Sequence, residues 1–478
     1  MVVWCGLLAV VAFPLSDDQL SAVGIGVENL RLQWRFRFSA RSSSPNFDRS
    51  IPGQPGISAR DPSGTLVIYP AASHVAWATA DRARCGRCAR IAQSSFGSVT
   101  PGIICASENV ASVSIPGVIR NITTNRPIQK REKKVDKKAL NWSELGFDYI
   151  ETDVRFRAVW SSGEWGEGEL INSAEMLIHE GSPVLHYAQT CFEGLKAQTA
   201  PNGDILLFRP DLNCARMAST TARLLMPGVP ESLFMQGVLE TVRANAAWVP
   251  PYGSGASLYI RPFLVGVGKN LGLRPAPNYE FRVFVSPVGP YYKGGGLSLI
   301  DLAVIDLDRA APKGTGAYKA GANYAGGLLA TQMAKDLGAQ EALYLDPAEH
   351  RYLEEAGSAN IVLVMKDGSV VTPKSESILP SITRRSVMTL AAQTLGRTVE
   401  ERPIDFFAEV DQIDEFAACG TAAVISPVSK IRVGDTWHKF YGEGKEIGPV
   451  TQALYDRLTA IQKGETEDTF GWTEVVPI

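Results

Sequence analysis

The chain has 478 residues, 45% hydrophobic and 20% charged, enough for two or more domains with buried cores. Its net charge of -3 argues against an overall basic nucleic-acid binder, and no apolar run reaches the length of a membrane-spanning helix. The seven cysteines are scattered and odd in number, which speaks against a disulfide scaffold and for a reducing compartment. Cys85 and Cys88 are the one close pair, no further ligands follow at zinc spacing, and the five histidines do not cluster, so no metal site is expected.

Composition changes near residue 128. Residues 1–127 hold 12 Arg, 7 acidic residues and no Lys, a net +5, and the rest of the chain carries a net -8. The early stretch is rich in Ser, Gly and Pro and lacks a sustained hydrophobic period, so residues 1–137 are expected to be a poorly ordered extension. Three readings of it stand: an Arg- and Ser-rich organellar leader, a signal segment in Met1–Phe13 without the usual positive start, or a stretch that is no functional domain. The charge run Lys130–Lys138 reads as a solvated linker.

From residue 138 the pattern becomes regular. In chain order it predicts a strand at 204–208 and helices at 211–226, stopped by Pro227-Gly228, and at 230–249. Apolar strands follow at 256–267, 279–288 and 297–306, then a helix at 323–337 ending at Gly338. Short strands at 342–345, 358–364 and 370–372 precede helices at 383–395 and 448–462. Strands and helices mix without strict β-α-β alternation, which indicates a mixed α/β (α+β) fold. Tyr291–Gly296 is the expected joint between a small domain, 138–293, and a large one, 294–478.

Five short stretches carry chemistry. Lys319 sits among small residues in Gly314–Tyr324, directly before a helix; a lysine in such a pocket loses its charge and attacks an aldehyde, whereas the alternative is a solvated lysine on a mobile loop. Leu379–Thr383 opens a helix, whose free N–H groups suit an anion, although simple N-capping accounts for Thr383 equally well. Gly420–Ala423 is a second small-residue turn, and Glu354-Glu355 begins a strand or is a surface acid pair. Arg261 lies in a very apolar strand and needs a structural carboxylate or an acidic ligand as partner.

The stretches His186–Lys196, Tyr259–Pro262, Asp308–Pro312, Lys319–Tyr324, Leu379–Thr383, Gly420–Ala423 and Gly464–Trp472, taken in series, resemble the branched-chain amino acid aminotransferases. These are pyridoxal phosphate enzymes of fold type IV, and the resemblance covers residues 138–478 in order. It implies two domains and amino-group exchange between leucine, isoleucine or valine and 2-oxoglutarate, through pyridoxal 5'-phosphate on Lys319. It implies that Glu355 meets the pyridine nitrogen, that Tyr324 meets the phenolic oxygen, and that Arg216, the Ile382 and Thr383 backbone and Thr421 hold the phosphate.

On the substrate side it implies Phe192, Tyr187, Tyr291 and Tyr324 around the side chain, Arg261 for a distal carboxylate, and Tyr259 with the N–H groups of Thr421 and Ala422 for the α-carboxylate. Members of the family are homodimers, which sets the same expectation here, in the cytoplasm or, with a leader, in an organelle. Some animal members carry a Cys-x-x-Cys after the Gly-Thr-Ala turn; here those places are Ala423 and Ser426, so no thiol switch is expected, and Cys419 is expected to pack as a small hydrophobe. The rivals are other fold type IV enzymes (D-amino acid aminotransferases, aminodeoxychorismate lyases, R-selective amine aminotransferases), a non-catalytic binding protein of the same fold, and a basic nucleic-acid-binding arm at residues 31–90.

Overall fold

The computed structural model describes residues 136–291 and 297–478. The expectations for residues 1–135, the Cys85/Cys88 pair and the 31–90 arm, and most of the 291–296 joint, lie outside the described residues.

Eight strands precede residue 289: β1 (Arg155–Ser161), β2 (Glu164–Trp165), β3 (Glu169–Ile171), β4 (Thr190–Phe192), β5 (Leu195–Thr199), β6 (Ile205–Phe208), β7 (Ser257–Val267) and β8 (Asn278–Val288). A second set follows: β9 (Ile300–Val304), β10 (Glu341–Leu345), β11 (Leu353–Ala356), β12 (Asn360–Met365), β13 (Val370–Pro373), β14 (Val399–Arg402), β15 (Ile413–Gly420), β16 (Val424–Val433) and β17 (Thr436–Lys439). The last strand, β18 (Thr473–Val476), returns to the first sheet, whose order is β18-β6-β5-β7-β8-β1-β2 with β3 on β1 and β4 on β7. The second sheet runs β11-β10-β9-β16-β15-β12-β13-β14, with β17 on β16. It mixes parallel pairs (β9 with β10 and β16, β13 with β14) with antiparallel ones, the mixed architecture the sequence pattern indicates.

The first core packs the helix Glu231–Ala244 on one face of its sheet, with Phe156, Phe234 and Phe281 fully buried together. The second sheet is covered on both faces. The helices Ile382–Gln393 and Pro449–Gln462 bury Val387, Leu390, Leu454 and Leu458 against Val362 and Val364 of β12. The other face packs Leu363, Phe406, Phe416 and Phe440. Strands buried on both faces read as continuous apolar runs, and every residue of β10 and β12 is buried accordingly.

Most predicted elements occur within a few residues of their expected ends. The helix Pro210–Arg223 has its proline at the first turn, where the missing N–H costs no hydrogen bond. One predicted helix differs: 323–337 is two pieces, Gly321–Gly326 and Leu328–Asp336, meeting at Gly327. The glycine pair there lowers helix propensity where packing turns the chain. The first piece places Lys319 and Tyr324 on either side of its start, beside β4 through a bridge between Cys191 and Ala320.

Candidate active site

Side chains from both sheets meet around Lys319. Its Nζ donates to the Tyr324 hydroxyl at 2.9 Å and lies 4.8 Å from the centre of the Phe192 ring. Its backbone N–H donates to the Thr220 hydroxyl, which in turn donates to the Arg216 carbonyl, and its carbonyl accepts from the Phe192 N–H. Burial pushes the Lys319 ammonium down to about 8, and the positive charge of Arg216 adds to the effect. Of the two possibilities the small-residue loop leaves open, this partly buried amine with a hydroxyl and ring partner is closer to the enclosed one. Lys313 stands apart on an exposed turn with positive φ.

Glu355 is buried on β11 and held from three sides. Its Oε2 accepts from Asn360 at 2.9 Å, and its Oε1 accepts from the Leu379 N–H at 2.7 Å and pairs with Arg309 at 2.8 Å. Burial raises its pKa, against the pull of Arg309 and the Leu379 N–H. Glu354, its neighbour, is equally buried and takes different partners, the hydroxyls of Ser375 and Ser377. The surface acid pair is therefore excluded. Alternation along the strand separates the two side chains.

Arg216 is buried in the helix Pro210–Arg223, not at its solvent face. Its fork grips Glu193, Nε to Oε1 at 2.8 Å and Nη2 to Oε2 at 2.7 Å, and Nη1 donates to the Pro380 carbonyl at 3.1 Å. The last bond brings it to the start of the helix Ile382–Gln393. There Ser381 is the cap, its hydroxyl accepting from the Arg384 N–H, so capping does not account for Thr383. Ile382, Thr383 and Thr421 line one cleft together with Gly194, Lys196 and Asn213. A Cβ on Gly194 would come within 2.2 Å of the Tyr259 hydroxyl, so glycine is required where the chain passes that tyrosine.

On the first sheet, Arg261 of β7 donates to the Tyr259 hydroxyl at 3.3 Å and lies over the rings of Phe192 and Tyr259, at 4.8 and 5.2 Å. Among the described residues it has no carboxylate within ion-pair distance, and its Nε is buried without a partner. Of the two partners the sequence allows, a structural carboxylate does not occur beside it among the described residues. Tyr291 packs edge-on to Phe147, which also packs on Tyr259. Gly420–Ala423 forms the turn between β15 and β16, and the Ala422 carbonyl accepts from Lys196 Nζ at 2.6 Å. Tyr187 is the exception: it is 39% exposed, and its hydroxyl donates to the Leu271 carbonyl. Cys419 is buried, its thiol pushed up to about 12 by burial, as a packing residue.

Sequence reasoning missed the partners Glu193, Asn213, Lys196, Thr220 and Arg309. Glu193, Lys196 and Arg309 lie inside stretches that carry the family resemblance. A glutamate between two apolar strands is the one local signal of a buried charge pair.

The arrangement fits a phosphorylated aromatic aldehyde. It combines an enclosed amine, a buried carboxylate, and a cleft that ends at a helix start near a buried guanidinium. The amino-transferase class IV family matches residues 190–431. The chain belongs to that family. Proteins named branched-chain-amino-acid aminotransferase match it at 50% identity in Haemophilus influenzae and 48% in Helicobacter pylori, each over 70% of this chain and 98% and 97% of theirs. A chloroplastic one from Humulus lupulus matches at 44%, over 70% of this chain and 81% of its own. Among solved structures, that of the Escherichia coli branched-chain amino acid aminotransferase matches with TM-score 0.55 and 30% identity, covering 67% of this chain and 99% of that one. A T.th. branched-chain amino acid aminotransferase complexed with N-(5'-phosphopyridoxyl)-L-glutamate matches with TM-score 0.56 and 28% identity, over 69% and 100%. Within the family the chain stands with the branched-chain-amino-acid aminotransferases.

Proposed function

We propose that this aminotransferase moves the amino group between leucine, isoleucine or valine and 2-oxoglutarate, with pyridoxal 5'-phosphate carried on Lys319. The observation that carries the reading is the Lys319 amine, held by Tyr324, sharing the Phe192 ring with Arg261 and close enough to Glu355 to act on its charge. When bound, the cofactor supplies an electron sink for a carbanion at the amino-acid Cα.

This chain's residues then have distinct tasks. Lys319 Nζ holds the proton removed from Cα, and its lowered pKa lets it accept and release that proton near neutrality. Glu355 holds the pyridine nitrogen and Tyr324 the phenolic oxygen. Arg216, the N–H groups of Ile382 and Thr383, and Thr421 hold the phosphate. Tyr259 and the N–H groups of Thr421 and Ala422 orient the α-carboxylate. Phe192, Tyr291 and Tyr324 give an apolar wall for a branched side chain, and Arg261 takes the distal carboxylate of glutamate.

The division into domains 138–293 and 294–478 is proposed with this reading; the change of sheet between Val288 and Ile300 supports it. A homodimer is proposed as well. Exposed Leu185, Tyr187, Leu271, Leu273, Leu328 and Leu329 support it as apolar side chains that a second copy would cover. No described helix is long and apolar enough to cross a membrane. The cytoplasm is the proposed compartment, with an organelle as the alternative.

Borohydride reduction of the loaded protein followed by peptide mapping tests the attachment: the label is expected on Lys319 and nowhere else. A panel of L- and D-amino acids with 2-oxoglutarate tests the reaction. Turnover of D-alanine but not L-leucine would hand the chain to a rival fold type IV activity.

A further inference from the structure

The stretch Asp308–Pro312 has no task in the chemistry proposed so far, yet Arg309 from it reaches the centre of the site. Its side chain is about as buried as Glu355 itself, 10% exposed against 6%. The Nη2 group donates to the carbonyls of Gly316 and Ser377 and lies 2.8 Å from Glu355 Oε1. Those carbonyls belong to two other segments of the site. Gly316 is in the loop that leads to Lys319. Ser377 precedes Leu379, whose N–H donates to the same carboxylate oxygen. One guanidinium therefore ties the lysine loop, the carboxylate strand and the approach to the helix Ile382–Gln393. The fit is close: a Cβ on Gly316 would lie 2.3 Å from the Ser377 carbonyl oxygen and 2.9 Å from Arg309 Nη2.

We propose that Arg309 is a positioning residue that keeps Glu355 ionised and fixed in place, so that the carboxylate meets the pyridine nitrogen as an anion. The proposal rests on the cofactor reading of Lys319 and Glu355. The charged and titratable groups around Glu355 are Arg309, Glu354, Lys319, Tyr324 and the Cys419 thiol. Desolvation and the adjacent Glu354 both favour a neutral Glu355, and Arg309 is the nearest cation that opposes them. Without it, Glu355 takes up a proton and no longer faces the ring nitrogen as a negative charge. Asn360 and the Leu379 N–H still orient the carboxyl group, so its place in the fold survives.

The test uses the full chain loaded with pyridoxal 5'-phosphate, in five forms: wild type, Arg309→Gln, Arg309→Lys, Glu355→Gln and the double variant Arg309→Gln with Glu355→Gln. Two quantities are read, the rate of cofactor loss on dialysis and the pH midpoint of the visible absorbance. In Arg309→Gln the cofactor is expected to leave about tenfold faster, and the midpoint to rise by about one unit as nearby positive charge is lost. Arg309→Lys keeps the charge and stays within about threefold of wild type. In the Glu355→Gln background, Arg309→Gln adds less than about twofold, because it acts through a carboxylate no longer present.

Equal effects in both backgrounds, or an Arg309→Lys protein as impaired as Arg309→Gln, overturn the proposal. If Arg309→Gln does not fold, Arg309→Met with and without Glu355→Gln gives the same cycle, and additivity again overturns it. A wild type without visible absorbance overturns the cofactor reading and this proposal together. A loaded wild type matched by an unaltered Arg309→Gln overturns this proposal alone.

Discussion

The two ends of the site handle charge in opposite ways. At the proposed cofactor end a buried carboxylate and a buried guanidinium are each ion-paired within the protein: Glu355 with Arg309, and Arg216 with Glu193. At the substrate end Arg261 lies between aromatic rings, without a carboxylate among the described residues. A group that stays bound through many turnovers is served by a closed, rigid set of partners. An acid that enters in only one half of a two-substrate exchange is served by a charge left open, screened by ring faces that also accept an apolar side chain. Removing a partner should therefore have different consequences at the two ends.

The largest expected effect is at the cofactor end. Lys319→Ala should lower exchange with every substrate by roughly 10⁴-fold and remove the covalent attachment, since on the proposed reading it deletes both the anchoring amine and the proton carrier. Single-turnover absorbance with leucine and with glutamate checks this; a variant that still exchanges one of them would move the chemistry to another group. At the substrate end, Arg261→Ala should lower kcat/KM for glutamate by about 100-fold while leucine loses only a few-fold, because only glutamate brings a second carboxylate. Equal losses with both would end the comparison, since Arg261 would then belong to the shared framework.

The same contrast marks what the sequence made legible. Lys319 and Arg261 stand out from their surroundings, a lysine among glycines and alanines and an arginine in an apolar strand, but only the series of motifs that carries the family resemblance gave them and the small-residue turns a role. Their partners could not be found that way. Glu193 and Arg216 are 23 positions apart and meet only because β4 runs on toward β5 beneath the helix Pro210–Arg223. Arg309 reaches Ser377 across 68 positions. Among the elements, β15 and β16 went unpredicted because strands in this doubly covered sheet lack clean alternation; Glu415 within β15 is itself buried against the N–H groups of Val450 and Thr451. The split at Gly327 is likewise a matter of packing, not of local pattern.

A smaller effect concerns pH. The Lys319 ammonium, lowered by burial to about 8, must be neutral to attack an aldehyde. Capture of the cofactor by the cofactor-free protein should then accelerate with rising pH, about tenfold per unit below about 8, and level off above it. Stopped-flow absorbance checks the profile. A plateau already reached well below that value would mean that the amine is more deeply desolvated, or nearer to positive charge, than its surroundings indicate. A rise continuing beyond about 10 would mean that it is solvated.

The smallest effect tests whether the cofactor end draws its rigidity from the closed ring of side-chain bonds or from the helix beneath it. Ser381 caps the helix Ile382–Gln393, its hydroxyl accepting from the Arg384 N–H at 3.1 Å. Ser381→Ala should cost about 1 kcal/mol of stability, seen as a drop of a few degrees in Tm. Arg216 still grips the Pro380 carbonyl, and the Leu379 N–H still meets Glu355, so the backbone on either side of the cap stays tied. Cofactor release should change by less than about twofold, and the ratio of leucine to glutamate turnover should not move. A shifted ratio would show that the helix start reaches the substrate end, and the two ends would have to be treated as one.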